Sequence, residues 1–447
     1  MEAQAQNPWL LLGFQPVFLW SDILIYLLFL CSGVWLTFAL RREYWRAALR
    51  QIATNHAAMV SFGVLCLYGT IGFLDTLHFR KVTQETLSGG NIQSVLDVFC
   101  APLIAAREKT YSSPFAIYSF TKETLITPDG KQIRAYPRLQ FAGSHLQDPN
   151  NKAADIKAKL LRGMGWGLGA GIFLFGAMRW LGGGVWTGSF LLTFSVVGFV
   201  VIELSPNYHI LGTDKTGQDV FYIARKSVRT GLIIGTLTTL IVTPFAILCG
   251  VLAGYLGGWI DDIIQYVYST LESIPDILLI AAAMLIFQVG LTEEETIISA
   301  DKRLVYLCLI MGITSWTGLC RLLRAEVLKL REIEYVQAAD AFGVSRPRIM
   351  LRHLIPNVMH IVLISIVLRF SGLVLAEAVL AYVGIGVDPS MQSWGNMINQ
   401  ARLELAREPV VWWNLFAAFV FMLGLVLPAN LFGDAVRDAL DPRLRTR

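Results

Sequence analysis

Long apolar stretches without charged residues alternate with polar segments along most of the chain. A bilayer core about 30 Å thick needs about 20 apolar helical residues to cross it. Stretches of this kind predict nine membrane-spanning helices, at 23–40, 57–74, 163–178, 180–202, 230–260, 263–289, 304–320, 354–387 and 409–433. The third and fourth meet around Arg179 and a Leu-Gly-Gly-Gly turn, which predicts a transmembrane hairpin over 163–204.

The composition of the 447 residues agrees with this pattern, since 55% are hydrophobic and only 16% are charged. Soluble proteins carry about 25% charged residues. The fold class expected is therefore an all-α polytopic membrane protein in a lipid bilayer. The net charge is only +4 and no basic block occurs, so nucleic acid is not an expected partner.

Basic residues in short loops predict the orientation, because Lys and Arg concentrate on the cytoplasmic side. The segments 41–50, 321–353 and the tail after Gly433 carry an excess of basic residues and are expected in the cytoplasm, with the N-terminus outside. The loop 203–229 then falls outside the cell. It carries Lys215, Arg225, Lys226 and Arg229, which opposes the rule.

A polar segment of mixed charge over 79–162 is predicted to be an external insertion, since long loops translocate regardless of charge. Its aromatic residues indicate an ordered module, because disordered segments are poor in them. Tyr118, Phe120, Leu125 and Ile126 are expected in short strands beside a turn at Asp129-Gly130. Two hypotheses stay open for this insertion: contact with a partner protein, or a decoration without a role in transport.

Motifs for catalysis and for phosphate binding are absent from the sequence. It contains no G-x-x-x-x-G-K-[ST], no H-E-x-x-H and no G-x-S-x-G. The six His and six Cys show no metal-ligand spacing. We therefore expect a chain that is not an enzyme and binds no metal and no cofactor itself.

The segment 331–357 predicts two short helices that meet at a glycine. Tyr335, Ala338, Ala339 and Phe342 lie at helical spacing on one narrow face. Gly343 suits a left-handed position at the end of that helix. Ser345 is a plausible N-cap, Pro347 fits the first turn of the second helix, and Pro356 closes the motif. From spacing alone, an ordinary amphipathic connector between two spans remains an alternative.

This segment resembles the coupling loop of ABC importer permeases, in which E-A-A is followed after three residues by Gly and then by I-x-L-P. Here the pattern is Gln337-Ala338-Ala339, Gly343 and His353-Leu354-Ile355-Pro356, in the same register. Gln337 stands where the family usually has Glu. One negative charge is therefore missing from the surface expected to face the ATPase.

Three further stretches resemble permeases of the dipeptide, oligopeptide and nickel importers. The first is H-I-L-G-T-D-K-T-G-Q-D-V from His209, in which the signature positions are Leu211, Gly212, Thr213, Asp214, Gly217 and Asp219. The second includes Glu377-Ala378 and S-W-G-N-M from Ser393, and the third is the C-terminal N-L-F-G-D from Asn430. The resemblance covers 209–443 and does not extend over 1–200.

The resemblance implies a type I importer permease core of five to six spans over 205–447, with a cytoplasmic coupling loop at 321–357 and extra N-terminal spans over 1–78. It implies one half of a heterodimeric pore, completed by a second permease chain. Two ATPase subunits, which carry ATP and Mg, would each receive a coupling loop, and an external solute-binding protein would deliver the substrate. The ATPase-coupling residues would be Tyr335, Gln337, Ala338, Ala339, Phe342, Gly343, His353 and Pro356. The location implied is the cytoplasmic (inner) membrane of a bacterium.

Ionisable and polar groups inside predicted spans are costly and are usually functional or paired. Arg369, Glu377, Trp394 and Asn396 are candidates for pore lining or gating. For Glu377 an interhelical structural bond is the alternative. An ion-coupled secondary transporter that uses buried carboxylates is the competing function, although it has no use for an ATPase dock. The sequence does not distinguish dipeptides, longer peptides, nickel chelates or peptide antibiotics as substrate.

Overall fold

The computed structural model describes residues 14–41, 43–81, 92–126, 132–180, 184–289 and 297–440. These residues are mainly helical. The helices are α1 (Trp20–Ala39), α2 (Glu43–Thr54), α3 (His56–Thr76), α4 (Val95–Phe99), α5 (Ala101–Ala105), α6 (Lys152–Trp180), α7 (Val185–Leu204), α8 (Val220–Leu256), α9 (Gly258–Glu272), α10 (Asp276–Val289), α11 (Ile297–Thr314), α12 (Thr317–Arg331), α13 (Glu334–Ala341), α14 (Arg346–Ile349), α15 (Ile355–Tyr382), α16 (Trp394–Glu404) and α17 (Trp413–Leu440). One π-helical turn, Met350–Leu354, joins α14 to α15.

Five short strands lie in the N-terminal third of the described chain. They are β1 (Phe14–Val17), β2 (His78–Lys81), β3 (Ile92–Ser94), β4 (Glu123–Ile126) and β5 (Gln132–Ala135). The first three form an antiparallel sheet in the order β1-β2-β3, and β4 pairs with β5 as an antiparallel hairpin. The predicted strands at Leu125 and Ile126 are thus present. Tyr118 makes only an isolated bridge with Arg138, and the turn at Asp129-Gly130 lies outside the described residues.

The fold class predicted from the sequence is confirmed. By length and composition, seven helical segments of the described residues can cross a membrane, and α9 with α10 gives an eighth if this pair counts as one span. The sequence predicted nine spans, one more than the eight counted when the bent pair is included. Helix α1 covers the predicted first span but is not among the eight.

Three of the predicted boundaries of spans and loops are wrong. Helix α8 begins at Val220, so the last ten residues of the predicted loop 203–229 are helical. Helix α12 continues to Arg331, through residues that were assigned to the coupling loop. The predicted span 263–289 is instead two helices bent by 88°, because Pro275 restricts the preceding residue and interrupts the helix.

The described residues form two compact units, each with its own packing. The first unit comprises the described parts of 14–18, 59–230 and 392–425, and the second those of 19–58, 231–391 and 426–440. The predicted division into 1–78, 79–162, 163–204 and 205–447 stays a prediction.

The first unit contains the predicted hairpin, formed by α6 and α7. Three glycines spaced one turn apart, Gly163, Gly167 and Gly171, face the backbone of α7. A Cβ on Gly167 would lie 2.5 Å from the Cα of Val196, so only glycine allows this approach. Of its predicted Leu-Gly-Gly-Gly turn, residues 181–183 lie outside the described residues, and Gly184 is the N-cap of α7.

The second unit contains two apolar cores. One is built around residues of α8, α11 and α15, with Ile234, Leu307 and Leu380 among the fully buried side chains. The other joins α8, α12 and α15 to the segment after α12, through residues such as Leu323, Val336 and Val358. The second core holds the predicted coupling segment against the spans.

Candidate functional site

Helix α13, the first short helix of the coupling segment, packs on the core mainly through Val336, with Ala339 half-buried beside it, and exposes most of its other side chains. Val336 is 1% exposed and belongs to the core that includes Val327, Ile349 and Leu354. Phe342, the residue that ends the helix, is 88% exposed. Tyr335, Gln337 and Ala338 are also exposed, and Ala339 is half-buried. Helix α13 is therefore fixed to the core at Val336 and exposes most of its surface.

The turn after α13 has the geometry that the sequence predicts. Gly343 has a φ of +75°. Its N–H donates to the carbonyl of Asp340 at 2.9 Å, and the Val344 N–H donates to the carbonyl of Ala339 at 3.1 Å. Ser345 occupies the N-cap position of α14, but its side chain makes no capping hydrogen bond. Backbone conformation at Gly343, rather than a side-chain cap, therefore sets the direction of the second helix.

A side-chain bridge ties α13 to the beginning of the next span. Asn357 Nδ2 donates to the Tyr335 hydroxyl at 2.8 Å and to the His353 carbonyl at 2.7 Å. The Tyr335 and His353 rings lie with centroids 6.0 Å apart. Pro356 lies in the first turn of α15, as expected. The two ends of the segment are thus connected directly, which makes it a short stiff unit.

Two concave surfaces flank these helices, and charged side chains line both. A cavity of about 280 Å³ is lined by Tyr255, Leu256, Arg331, Glu332, Val336, Gln337, Asp340 and Arg346. A wider groove of about 780 Å³ is lined by Ser345, Pro347, Arg348, Leu351, Arg352 and Pro356. Gln337 Nε2 lies 3.5 Å from Glu332 Oε2 in the smaller cavity. The Glu332 carboxylate therefore lies beside Gln337, the position at which the related motif has Glu.

Of the four pore candidates, Arg369 and Glu377 both lie on α15 but in different surroundings. Arg369 Nη1 donates to the carbonyl of Ser315, and its side chain lines a cavity of about 770 Å³ together with Glu272, Pro275 and Asp276. Glu377 is only 3% exposed and does not line that cavity. The geometry therefore favours Arg369 over Glu377 as a residue that faces an open space.

Substituting Glu377 tests the two hypotheses that the sequence left open. A buried structural acceptor tolerates Glu377→Gln, because the amide still accepts a hydrogen bond, so we expect uptake within about threefold of wild type. Glu377→Leu removes the polar group, and we expect its membrane abundance to fall at least fivefold. Immunoblotting of membranes, measured apart from substrate uptake, checks both. If both variants insert normally and change substrate preference, Glu377 lines the path instead.

Trp394 packs between helices of the first unit, and the backbone of Asn396 takes part in the cap of α16. Trp394 is 1% exposed, and its indole Nε1 donates to the Ala224 carbonyl at 3.0 Å. The Asn396 N–H donates at 3.0 Å to the side chain of Ser393, which caps α16. The Trp394 ring therefore fills space between α8 and α16, and a role of Trp394 and Asn396 in pore lining or gating stays a prediction.

The signature segment 209–219 folds into a tight buried turn. Gly212 and Gly217 have φ angles of +70° and +75°, which explains glycine at both positions. Asp214 Oδ1 accepts from the N–H groups of Thr216 and Gln218 at 2.8 and 2.9 Å. The Asp219 side chain accepts from the Tyr222 N–H at 3.0 Å and so caps α8. Leu211, half-buried, completes the turn, and these residues shape the backbone rather than line a cavity.

The insertion packs directly on this turn, a contact that the sequence analysis missed. The Thr213 N–H donates to the Ser112 carbonyl at 3.1 Å, and the Glu108 N–H donates to the Gly217 carbonyl at 2.9 Å. Trp413 Nε1 donates to the Thr213 carbonyl at 2.9 Å. Paired glycines in the signature were the available signal, since a glycine with positive φ often allows another backbone to approach.

Comparison with known proteins identifies the family of this chain. Residues 246–446 match the profile of the family described as "Binding-protein-dependent transport system inner membrane component". The dipeptide transport system permease protein DppC of Bacillus subtilis is 33% identical over 261 residues, which cover 58% of this chain and 77% of that protein. The chain belongs to this permease family.

Other relatives are permease proteins of the oligopeptide transport system. OppC of Bacillus subtilis is 32% identical over 237 residues, covering 53% of this chain and 72% of that protein. OppC of Mycobacterium tuberculosis is 34% identical over 238 residues, covering 53% of this chain and 77% of that protein. Since the family is one of transport permeases, the chain is a multi-pass permease subunit and not a catalytic enzyme. The coupling segment lies within the matched residues 246–446.

The alternative of an ion-coupled carrier gains no support from the described carboxylates near α9 and α12. Asp261 accepts from Arg324 Nε and Nη2 at 2.6 and 2.7 Å, and Glu272 pairs with Arg321. Each of these acids already has a cationic partner. They are therefore poor candidates for a site that must exchange a proton or a sodium ion.

Proposed function

We propose that this chain is one half of a heterodimeric pore that imports peptides, driven by ATP hydrolysis on separate ATPase chains. The observation that carries the proposal is the α13 helix, which is exposed outward yet fixed to α15 through Asn357 and to the core through Val336. Such a segment can transmit the displacement of a docked protein to the spans, which a flexible loop cannot do. The names of the relatives, which transport dipeptides and oligopeptides, support the substrate class.

The ATPase is proposed to dock on the outward face of α13 and the turn that follows. Phe342 would be the apolar anchor, with Ala338 and Ala339 allowing close approach and Gln337 contributing a hydrogen bond in place of an ion pair. ATP and Mg would be bound by the ATPase chains, and this chain would hold no cofactor. The location proposed is the bacterial cytoplasmic (inner) membrane, with a second permease chain beside this one and a solute-binding protein outside.

Removal of the Phe342 ring tests the docking surface. Burial of an exposed Phe contributes about 1.5–3 kcal/mol, so we expect Phe342→Ser to weaken ATPase binding at least tenfold without loss of membrane insertion. Co-purification of the ATPase with the membrane complex, titrated in detergent, measures this effect. Phe173→Ser is a matched control, because Phe173 is 76% exposed on α6, a different element. Equal co-purification of ATPase with Phe342→Ser and wild type would refute the docking surface.

A further inference from the structure

The cavity of about 770 Å³ in the second unit lies where two spans are interrupted. Helices α11 and α12 belong to one segment long enough to cross a membrane, Ala300–Arg331, but the helix is broken at Ser315 and Trp316. The other interruption is the 88° bend between α9 and α10 at 273–275. Both interruptions line the cavity. Non-helical backbone at membrane depth is tolerated only where protein buries it or where it lines a water-filled space, so a cavity here has a structural reason.

Arg369 of α15 brings a positive charge to this cavity. Its Nη1 donates to the carbonyl of Ser315, at the break between α11 and α12. A neutral donor would satisfy a carbonyl equally well, whereas a charged side chain inside a span is costly and usually marks a functional site. Arg369 has no carboxylate partner in the part of the chain that the structure describes. The charge of its guanidinium group is therefore available to an anionic ligand.

The beginning of α12 favours an anion at the same place. Thr317 and Gly318, its first residues, line the cavity, and the N-cap residue Trp316 makes no capping hydrogen bond with its side chain. N–H groups in the first turn of a helix lack intrahelical acceptors, and the helix dipole adds to their attraction for negative charge. A Cβ on Gly318 would lie 3.1 Å from Arg369 Nη2, so the guanidinium group lies directly beside this turn.

The ligand that suits this arrangement best is a carboxylate. Arginine binds a carboxylate through two parallel hydrogen bonds, which give it both strength and a defined geometry. The bond to the Ser315 carbonyl uses one of the five donors of Arg369 and leaves the others for a ligand. Because that bond also fixes the orientation of the guanidinium group, less conformational freedom is lost when a ligand binds.

Asp276 supplies a negative charge on another wall of the cavity. It is exposed in the first turn of α10 and forms no ion pair with the described residues. The other acid of the lining, Glu272, is already paired with Arg321. A short peptide with free ends is a zwitterion, with a carboxylate at one end and an ammonium group at the other. One available cation and one available carboxylate therefore match the two ends of such a peptide.

A glycine keeps the space beside Arg369 open. Gly372 follows Arg369 by three residues, so both lie on the same side of α15, and both line the cavity. A Cβ on Gly372 would meet no atom within 4 Å. Glycine inside a helix costs about 0.5–1 kcal/mol relative to alanine. Open space for a ligand would offset this cost, and the cavity volume lies within the range of about 300–1,000 Å³ that small-molecule sites have.

We propose that this cavity binds a short peptide during transport, with Arg369 and the beginning of α12 holding its C-terminal carboxylate and Asp276 holding its N-terminal ammonium group. The permease itself then selects peptides with free ends, in addition to any selection by a binding protein. This inference rests on the proposed function, since it requires that peptides pass through this chain.

A cycle that combines a variant with a modified peptide tests the carboxylate contact. The full complex in nanodiscs, without binding protein, is dialysed against radiolabelled tri-alanine or tri-alanine amide to measure each Kd. Amidation should raise the wild-type Kd at least fivefold, and Arg369→Gln should raise the Kd for tri-alanine by a similar factor. Arg369→Gln should bind the acid and the amide equally, because both changes remove the same contact. Arg179→Gln, at the exposed end of α6 in the first unit, is the matched control and should bind as wild type does.

The ammonium contact and the open space are tested in the same assay. Asp276→Asn should bind tri-alanine and N-acetyl-tri-alanine equally, yet still bind the amide more weakly than the acid. Gly372→Leu should raise the Kd for tri-alanine at least tenfold, because the leucine side chain fills the cavity. Gly198→Leu is its control, since Gly198 also has open space around it but lies on α7, and its Kd should stay unchanged.

Three results would overturn the peptide site. The first is an unchanged Kd for tri-alanine in Arg369→Gln, and the second is a wild-type complex without saturable binding at about 10 mM tri-alanine. The third is a failure of Arg369→Gln to assemble with the second permease chain, which would make Arg369 a subunit contact. Failure of the proposed function has a different signature, because the wild-type complex with its ATPase chains and binding protein would then take up no peptide, whatever the Kd at the cavity.

Discussion

Replacing Gly343 with valine is expected to reduce uptake at least tenfold while the chain still inserts in the membrane. A φ of +75° costs an ordinary residue about 1–2 kcal/mol, and a β-branched side chain more. A Cβ at Gly343 meets no atom within 4 Å, so the effect arises from the backbone alone. The turn relaxes by changing the angle between α13 and α14, and the ATPase then moves without displacing α15. When both are measured on the same reconstituted complex, uptake should fall while ATPase activity is retained.

Asparagine gives the sharpest control for this prediction. It tolerates the left-handed conformation better than other non-glycine residues, so Gly343→Asn should keep uptake within about threefold of wild type. Gly198→Val supplies a second control, because Gly198 also has open space around it but lies within α7. Equal loss of uptake in Gly343→Val and Gly343→Asn would mean that side-chain volume, and not backbone conformation, matters at this position.

The coupling segment was predictable because local sequence determines it. Glycine at a helix end, a proline in the first turn after it and an apolar residue at one helical face act within a few residues of one another. The anchor was less visible, since Val336 and the half-buried Ala339 pack on the core. The other members of the predicted face, Tyr335, Ala338 and Phe342, remain exposed. Which side of a short helix is buried depends on the surface beneath it, and the pattern of small residues does not reveal that surface.

The beginning of α8 illustrates where sequence reasoning fails. Arg225, Lys226 and Arg229 were assigned to an external loop in spite of their positive charge, although they lie within the helix. Lys226 pairs with Asp97 and lies 3.7 Å from Asp75, and the Tyr222 hydroxyl donates to Asp97 at 2.8 Å. Both acids come from distant parts of the chain, so the charge of Lys226 is neutralised by contacts that no local stretch of sequence contains.

The same limit applies to Glu108, which looked like one acid in a segment of mixed charge. Its place opposite the signature His209 depends on contacts between residues about 100 positions apart. Trp394 is a second example, because its place in a family motif did not reveal that its ring is buried against its neighbours. A motif identifies the family reliably, whereas the function of each of its residues depends on the neighbours that tertiary structure supplies.

Substitution of Gly217 by alanine is expected to have the largest effect on stability. A Cβ at this position would lie 1.8 Å from the backbone oxygen of Glu108 and 2.4 Å from its carbonyl carbon. Backbone atoms cannot rotate away as a side chain can, so the insertion and the signature turn must separate. Steric overlap together with the cost of a φ of +75° should destabilise the first unit by about 3 kcal/mol or more. Membrane abundance and the temperature of unfolding in detergent measure this loss.

Comparison with Gly258→Ala separates the steric overlap at Gly217 from the cost of the backbone conformation. Gly258 has a φ of +55°, yet a Cβ there meets nothing within 4 Å, so alanine adds only backbone strain of about 1–2 kcal/mol. We expect Gly258→Ala to lower the unfolding temperature slightly and to insert at near wild-type abundance, whereas Gly217→Ala fails to accumulate. Equal abundance of the two variants would show that the insertion is not packed against the signature turn at Glu108. The approach of the Glu108 carboxylate to within 3.8 Å of His209 Nε2 would then lose its structural basis.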